Sequence, residues 1–560
     1  MPRSIPPVAL RLVLAAAVSA GAILPPSVAL AAPDANAGAR AAPVYSGNII
    51  VRWKDAPAGT ALMPAEAAAE QVRKLAEQTG IGLTVKRQMG GNLALLGLPA
   101  GKGADPEAVA AQLRQDPRVA DAVPDRWLRP HDTVPNDPEF AINQPYLGSP
   151  SVIPGAANLP AAWDRSRGNE GLVIAVVDTG VLRHPDLASR LVAGYDFIAD
   201  PQYSQDGDGR DGDPTDAGDY VPQGFACPGM PAAQNLRPST WHGTRVASVL
   251  GAVTNNGQDV AGVDWSARIQ PLRVSGRCGA LLSDTVDAMR WAGGLPVPNV
   301  PNNPTPARVV NISLGAGSCS TFEQQAVDEL AARGVVVVAA AGNRAGAVEA
   351  PADCRGVIAV TAHVNDGENA SYANVGPQIA ISAPGGGCGN SKISNGTCLA
   401  PPSTIRTLTN DGETTARNYT LVNSQGTSFA APMVSGVASL MLAVNGNLST
   451  AQVTELLKSS ARPHPANTYC TTGSNTNTCG AGLLDADRAL LAAAGAPLPP
   501  APAPAPGTGG GTGGGNGGSN GGGGDDGGGG AVSLWGGAAL ALAGLFGLLL
   551  PAGRRRQAQR

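Results

Sequence analysis

Three short motifs supply an acid, an imidazole and an alcohol, in that order along the chain. Asp178 closes an apolar run in VVDTG, His242 opens HGT, and Ser428 lies within GTSFAAP. A serine hydroxyl is a weak nucleophile at neutral pH and needs a neighbouring base. Histidine can take that proton and return it, while a carboxylate holds the imidazole in one tautomer. Asp-Thr-Gly and His-Gly also occur as ordinary strand exits and helix starts, but together the motifs predict nucleophilic catalysis.

The motifs, their order and their context resemble the subtilase family over about residues 137–490. The resemblance implies a secreted bacterial serine endopeptidase that hydrolyses peptide bonds of proteins through an acyl-enzyme on Ser428. It also implies that Asn343, which ends the apolar run VAAAGN, donates a hydrogen bond to the oxyanion. The second donor is then the backbone N–H of Ser428. Without the triad, Asn343 would be interpreted as a turn asparagine.

The same resemblance indicates where a substrate would bind. The segment NISLG resembles the strand that pairs with an extended substrate backbone, although a buried structural strand is an equally simple interpretation. Glu349 and Asp353 follow soon after Asn343, but the sequence places neither at the floor of the specificity pocket. A preference for basic residues before the cleaved bond therefore stays a hypothesis. The residues expected at the substrate are Ser313, Leu314, Gly315, Ala341 and Gly342.

A second hypothesis of a different class is a catalytically silent, surface-tethered binding protein on a subtilase scaffold. Such a protein should have lost a triad or oxyanion residue, and Asp178, His242, Ser428 and Asn343 are all present. The sequence therefore favours the enzyme.

The catalytic motifs must be positioned by a folded domain, which we expect at 137–495. Short apolar runs, several of them β-branched, alternate there with helical stretches, which predicts a parallel sheet covered on both faces. The expected class is α/β with a doubly wound, mostly parallel, subtilisin-like sheet. The runs are Leu172–Val177, Val309–Ile312, Val335–Ala340, Val357–Val360 and Ile379–Ile381.

Residues 44–130 have the size of a small α+β unit, with helices expected near 64–78 and 105–115. This unit resembles the inhibitory propeptide of subtilases, which implies that it acts as the enzyme's own inhibitor and is removed between Arg126 and Asp137. A permanent accessory domain is the alternative.

Both ends of the chain carry features of export. Residues 1–31 combine flanking arginines, an apolar stretch and a small-residue cleavage signal, which predicts a signal peptide. A Pro/Ala and Gly-rich linker at 496–530 precedes an apolar helix and basic tail at 531–560. The tail resembles a Gly-Gly-type sorting signal, which makes its membrane contact transient, while a permanent anchor is the competing interpretation. The expected location is secreted or cell-surface, with signal and sorting peptidases as partners.

The eight cysteines are an even number in an exported chain, which indicates disulfides. Sequential pairing is our preference among 105 possible connectivities. The formal net charge of −4, without a basic stripe, argues against nucleic acid as a partner.

An acidic loop from Asp206 to Asp219 holds six carboxylates in fourteen positions, which suggests a structural Ca²⁺ ion. The loop does not match an EF-hand, and a solvated turn is the alternative. The resemblance to subtilases places another calcium at Asp186. The expected ligands in the loop are Asp208, Asp211, Asp213 and Asp216.

Overall fold

The computed structural model describes residues 45–54, 64–90, 92–98, 105–126 and 133–499. The predicted signal peptide, the C-terminal apolar helix at 531–560 and nearly all of the linker at 496–530 lie outside the described residues. The chain divides into two compact units, Met1–His131 and Asp132–Arg560.

The first unit contains a four-stranded antiparallel sheet with strand order β2-β3-β1-β4 and two helices. Ile49, Leu75, Leu96 and Leu113 are fully buried in its core. Both helices expected from the sequence are present, so the α+β prediction is confirmed. The elements are β1 (Tyr45–Trp53), α1 (Ala65–Thr79), β2 (Thr84–Gln88), β3 (Leu93–Gly97), α2 (Pro106–Leu113) and β4 (Val119–Arg126).

The second unit is built on a seven-stranded parallel sheet with the order β13-β12-β11-β10-β5-β7-β6. Three small antiparallel pairs, β8–β9, β14–β15 and β16–β17, lie outside it. The strands are β5 (Val173–Asp178), β6 (Tyr195–Asp196), β7 (Arg268–Arg273), β8 (Ser275–Gly276), β9 (Gly279–Ala280), β10 (Val309–Ile312), β11 (Val336–Ala340), β12 (Ile358–His363), β13 (Ile379–Pro384), β14 (Ile393–Ser394), β15 (Thr397–Cys398), β16 (Ile405–Asn410) and β17 (Tyr419–Ser424).

Helices cover both faces of this sheet. Along β5, Ile174 and Val176 belong to one apolar core, while Val173, Ala175 and Val177 belong to the other, as alternation in a strand requires. The doubly wound α/β prediction is therefore confirmed. The helices are α3 (Pro138–Asn143), α4 (Leu159–Trp163), α5 (Pro201–Ser204), α6 (His242–Gly251), α7 (Leu282–Ala292), α8 (Thr321–Ala332), α9 (Thr427–Val444), α10 (Thr450–Ser460) and α11 (Ala486–Ala493).

Helix α9 is almost entirely apolar and lies in the core. Within the part of the chain that the structure describes, it is the one helix long and apolar enough to cross a membrane. Because 89% of its apolar window is buried inside the protein, it has the character of a core helix.

The order of the strands determines where a site can form. From strand β5, the chain first adds β6 and β7 on one side and then β10 to β13 on the other. In open parallel sheets, ligands bind at the carboxyl ends of the strands where the strand order reverses. The strand ends at Asp178, Ile312 and Ala340 all lie at that edge.

The eight cysteines form four disulfides and none is free. The pairs follow the sequential order that we preferred: Cys227–Cys278, Cys319–Cys354, Cys388–Cys398 and Cys470–Cys479.

Candidate active site

Asp178, the last residue of β5, lies beside His242, the first residue of α6. The Nδ1 atom of His242 is 2.7 Å from Oδ1 of Asp178, whose side chain is 1% exposed. The same oxygen accepts the Thr179 N–H at 2.8 Å. The carboxylate therefore fixes the imidazole with Nδ1–H as donor, which leaves Nε2 as the free basic nitrogen.

The start of α6 is held in place by its neighbours on both sides. A side chain at Gly243 would bring its Cβ to 2.1 Å from the Gly180 carbonyl oxygen, so only glycine lets the helix approach the exit of β5 this closely. Trp241 has a φ of 51°, a left-handed conformation that is uncommon for a bulky residue. Its buried indole N–H donates to the Gly412 carbonyl in the loop between β16 and β17.

The Thr179 hydroxyl connects the two catalytic segments. It accepts the Gly243 N–H at 2.9 Å and donates to the carboxylate of Asp216 at 2.6 Å. Sequence reasoning missed this role of Thr179, and the only available signal was its place in the Asp-Thr-Gly motif.

The pKa of His242 is raised above its ordinary value. Burial of the imidazole alone lowers its pKa, but the charge and hydrogen bond of Asp178 outweigh burial. Arg245 lowers this pKa and Asp219 raises it, each less than Asp178 does. The Arg245 Nε–H donates to the Thr409 hydroxyl at 3.1 Å.

Ser428 is the second residue of α9 and is buried against the end of β10. Its hydroxyl donates to the Ser313 carbonyl oxygen at 3.0 Å, and the Ser313 hydroxyl donates to the Ser428 carbonyl oxygen at 2.8 Å. The ring of the next residue, Phe429, has its centroid 5.7 Å from that of His242. Within the described residues, the Ser428 hydroxyl donates to Ser313 and makes no direct hydrogen bond to His242.

The amide of Asn343 is oriented by Thr427. Its Oδ1 accepts the Thr427 N–H at 2.8 Å and the Thr427 hydroxyl at 2.9 Å. Because both groups need an acceptor, the Nδ2 donor must point away from them, and the residue is exposed. Sequence reasoning missed Thr427, although it lies inside the serine motif.

The residues expected at the substrate come from two neighbouring strand exits. Ser313, Leu314 and Gly315 follow β10, and Ala341 and Gly342 follow the adjacent parallel strand β11. Ser313 touches Ser428 directly, and the Gly342 N–H donates to the Thr427 hydroxyl at 3.2 Å. The structure therefore brings both segments to the start of α9.

The four acidic residues expected to bind calcium differ in their surroundings. Asp208 and Asp213 are exposed, and Asp213 accepts bonds from Thr215. Asp216 is buried with Thr179 and the Gly218 N–H, and burial raises its pKa to about 8. Within the described residues, one group of three ligand-type side chains lies within 4.8 Å, namely Cys319, Glu323 and Cys354, and its two sulfurs form a disulfide.

Two arginines supply positive charge to this region. Arg273, which is fully buried, donates to Asp206 and to Asp196. Arg210 pairs with Asp284 and Asp287 at 2.7 Å each. In the described residues, neither arginine forms an ion pair with Asp208, Asp211, Asp213 or Asp216. The role of these four residues as calcium ligands stays a prediction.

Asp186 is a different case, because its carboxylate is fully buried and accepts only neutral donors. These are the Asn256 amide at 2.6 Å and the Val260 N–H at 3.3 Å. Burial raises the pKa of Asp186 to about 7, and Asp137 adds to the negative charge nearby. No lysine or arginine pairs with Asp186 among the described residues. A hard cation fits this donor chemistry.

Comparison with known proteins places the chain in a family. A sequence model described as the subtilase family matches residues 169–482. An extracellular protease of Xanthomonas campestris pv. campestris is 41% identical over 395 residues, which cover 70% of this chain and 62% of that protein. An extracellular basic protease of Dichelobacter nodosus is 36% identical, with coverage of 63% and 56%. The chain thus spans about three fifths of the length of these two relatives.

A shorter relative and a solved structure extend the comparison. Subtilisin Savinase of Lederbergia lenta is 32% identical over 332 residues, which cover 59% of this chain and 94% of that protein. The solved structure of a protease from Pseudoalteromonas arctica is 38% identical and superimposes with a TM-score of 0.57. It covers 64% of this chain and 100% of its own.

The pKa of His242 can be tested by NMR titration of the imidazole nitrogens in a Ser428→Ala background. We expect a value above about 6.5, the ordinary histidine value. Asp178→Asn should lower it, because the substitution removes the negative charge that, together with the hydrogen bond, outweighs burial. Asp219→Asn should lower it by a smaller amount. A His242 pKa that does not change in Asp178→Asn would contradict the electrostatic role of Asp178.

Proposed function

The chain belongs to the subtilase family, and we propose that it is a secreted serine endopeptidase acting through an acyl-enzyme on Ser428. One observation carries the proposal. The hydrogen bond between Asp178 and His242 lies close to the ring of Phe429, the residue after Ser428, and Thr427, the residue before Ser428, orients the Asn343 amide. Relatives named extracellular proteases support both the activity and the secretion.

In the first step, the Ser428 side chain rotates about its Cα–Cβ bond. Its hydroxyl then donates a hydrogen bond to Nε2 of His242 instead of to the Ser313 carbonyl oxygen. His242 takes the hydroxyl proton as Oγ bonds to the scissile carbonyl carbon, and the carbonyl oxygen becomes an anion. The free Nδ2 of Asn343 donates to that oxygen. His242 then gives its proton to the leaving amine, and water hydrolyses the acyl-enzyme by the same steps.

The N-terminal unit fits the role of an inhibitory propeptide on sequence resemblance and on its own folded core. We expect it to block the site until cleavage between Arg126 and Asp137. For the C-terminal tail, a sorting signal and a permanent anchor remain the two interpretations.

A fluorophosphonate that reacts with activated serines separates the enzyme from a silent binding protein. We expect covalent labelling of the wild type at Ser428 and none in Ser428→Ala, read by intact mass and peptide mapping. An unlabelled wild type, or labelling that persists in Ser428→Ala, would favour the binding-protein hypothesis.

Asn343→Ala tests the oxyanion donor separately from substrate binding. We expect kcat to fall by about 10²–10³-fold with little change in KM, because the donor acts on a charge that develops only in the transition state. Asn447→Ala, at an exposed asparagine, is the matched control and should leave both constants unchanged. A rise in KM at constant kcat would assign Asn343 to ground-state binding instead.

A Ca²⁺ ion at Asp186 would neutralise a carboxylate that the protein leaves without a positive partner. Asp137 supplies a second carboxylate near Asp186. The backbone N–H groups of Asn255 and Asn256 donate to Asp137, and the Asn256 side chain donates to Asp186. Asp186 and Asp137 are the residues that we expect at the ion.

Thermal unfolding with and without a calcium chelator tests this site. We expect the chelator to lower the Tm of the Ser428→Ala protein and added Ca²⁺ to restore it, since a bound ion stabilises only the folded state. The same treatment should have little effect on the double variant Ser428→Ala/Asp186→Asn. A chelator effect of equal size in both proteins would place the ion elsewhere.

A further inference from the structure

Two backbone segments that contain residues expected at the substrate meet at the start of α9, and they form the two walls of the expected substrate pocket. The Ser313 segment exchanges hydrogen bonds with Ser428, and the Gly342–Asn343 segment is held through Thr427. An acyl group on Ser428 with its oxygen at Asn343 therefore has its own side chain directed between these two segments.

The segment from Glu349 to Ala350 joins the two walls. The Glu349 N–H donates to the Ala341 carbonyl at 3.0 Å, and the Ala316 N–H donates to the Ala350 carbonyl at 3.1 Å. Each wall has a glycine facing this segment. A Cβ on Gly315 would lie 2.2 Å from the Ala350 carbonyl oxygen, and a Cβ on Gly342 would lie 2.9 Å from Oε2 of Glu349. The Glu349 carboxylate thus lies directly against the wall next to Asn343.

Of the two acids that follow Asn343 in the chain, Glu349 and Asp353, only Glu349 has a carboxylate oxygen that no donor occupies within the described part of the chain. Both carboxylate oxygens of Asp353 accept the Cys319 N–H, at 3.0 and 3.1 Å. Glu349 uses only Oε1, which accepts from the Arg344 guanidinium at 3.2 Å. In the described residues, no donor reaches its Oε2. Because the Arg344 side chain is 64% exposed, the pair is weak and screened by solvent.

We propose that Glu349 is a specificity-determining residue that selects lysine or arginine immediately before the cleaved bond. This inference rests on the proposed endopeptidase function. The half-buried carboxylate offers one unpaired oxygen to a long cationic side chain, which would replace or join the exposed Arg344. Charge-assisted hydrogen bonds of this kind are stronger than those between neutral groups.

The test is a panel of otherwise identical peptide substrates with Arg, Lys, Leu or Phe before the cleaved bond. We expect the wild type to have its highest kcat/KM on Arg and Lys. Glu349→Gln keeps the size of the side chain and should lower kcat/KM on these two peptides by roughly 10- to 100-fold. Its activity on Leu and Phe should change by less than about twofold. Glu455→Gln, at an exposed helix position, is the matched control and should match the wild type.

Arg344→Ala provides an independent variant with the opposite expected effect. Removing the competing guanidinium should raise the ratio of kcat/KM on Arg to that on Leu. Equal losses on all four peptides in Glu349→Gln would overturn the proposal, and so would a wild type that prefers Leu or Phe. A wild type that reacts with fluorophosphonate yet prefers uncharged peptides would overturn the specificity alone. A wild type that neither labels nor cleaves would overturn the proposed function as well.

Discussion

The hydrogen bond between Asp178 and His242 is the contact on which the rest of the candidate site depends. A carboxylate with 1% exposure is stable as an anion only if its neighbours compensate for the lost water. The His242 ring and the Thr179 N–H both contact Oδ1 of Asp178, while no donor among the described residues reaches its Oδ2. The carboxylate in turn orients the ring and raises the pKa of His242. This contact brings the start of α6 so close to the exit of β5 that a Cβ at position 243 would lie 2.1 Å from the Gly180 carbonyl oxygen, so the position requires glycine.

Around this pair, the site is held by backbone groups and small hydroxyls on rigid elements. Thr179 connects the acid and histidine segments, Thr427 orients Asn343, and Ser313 exchanges hydrogen bonds with Ser428. Such contacts orient donors before a substrate arrives, which is the condition for electrostatic stabilisation of a transition state. The Trp241 indole ties the same helix start to the β16–β17 loop.

Much of the fold was predictable because its signals are local. The apolar runs of β5, β10 and β11 are short and β-branched, so a parallel sheet buried on both faces followed directly, and the sequential disulfide pairing is confirmed. The acidic loop shows the limit of local reasoning. Six carboxylates within fourteen residues suggested calcium, but Arg273 comes from β7 and cannot be associated with Asp206 until the chain has folded. Net charge along a loop does not reveal a counter-charge from a distant strand.

The sequence by itself determined the family, the order of the acid, imidazole and alcohol, and the α/β class, since motif identity and hydrophobic pattern are read along the chain. Only the tertiary structure decided which groups contact them. Glu349 and Asp353 are four residues apart and equivalent in sequence, yet Asp353 binds the Cys319 N–H with both oxygens while Glu349 lies against Gly342. The reason is physical, because hydrogen-bond satisfaction and burial depend on distances across the fold.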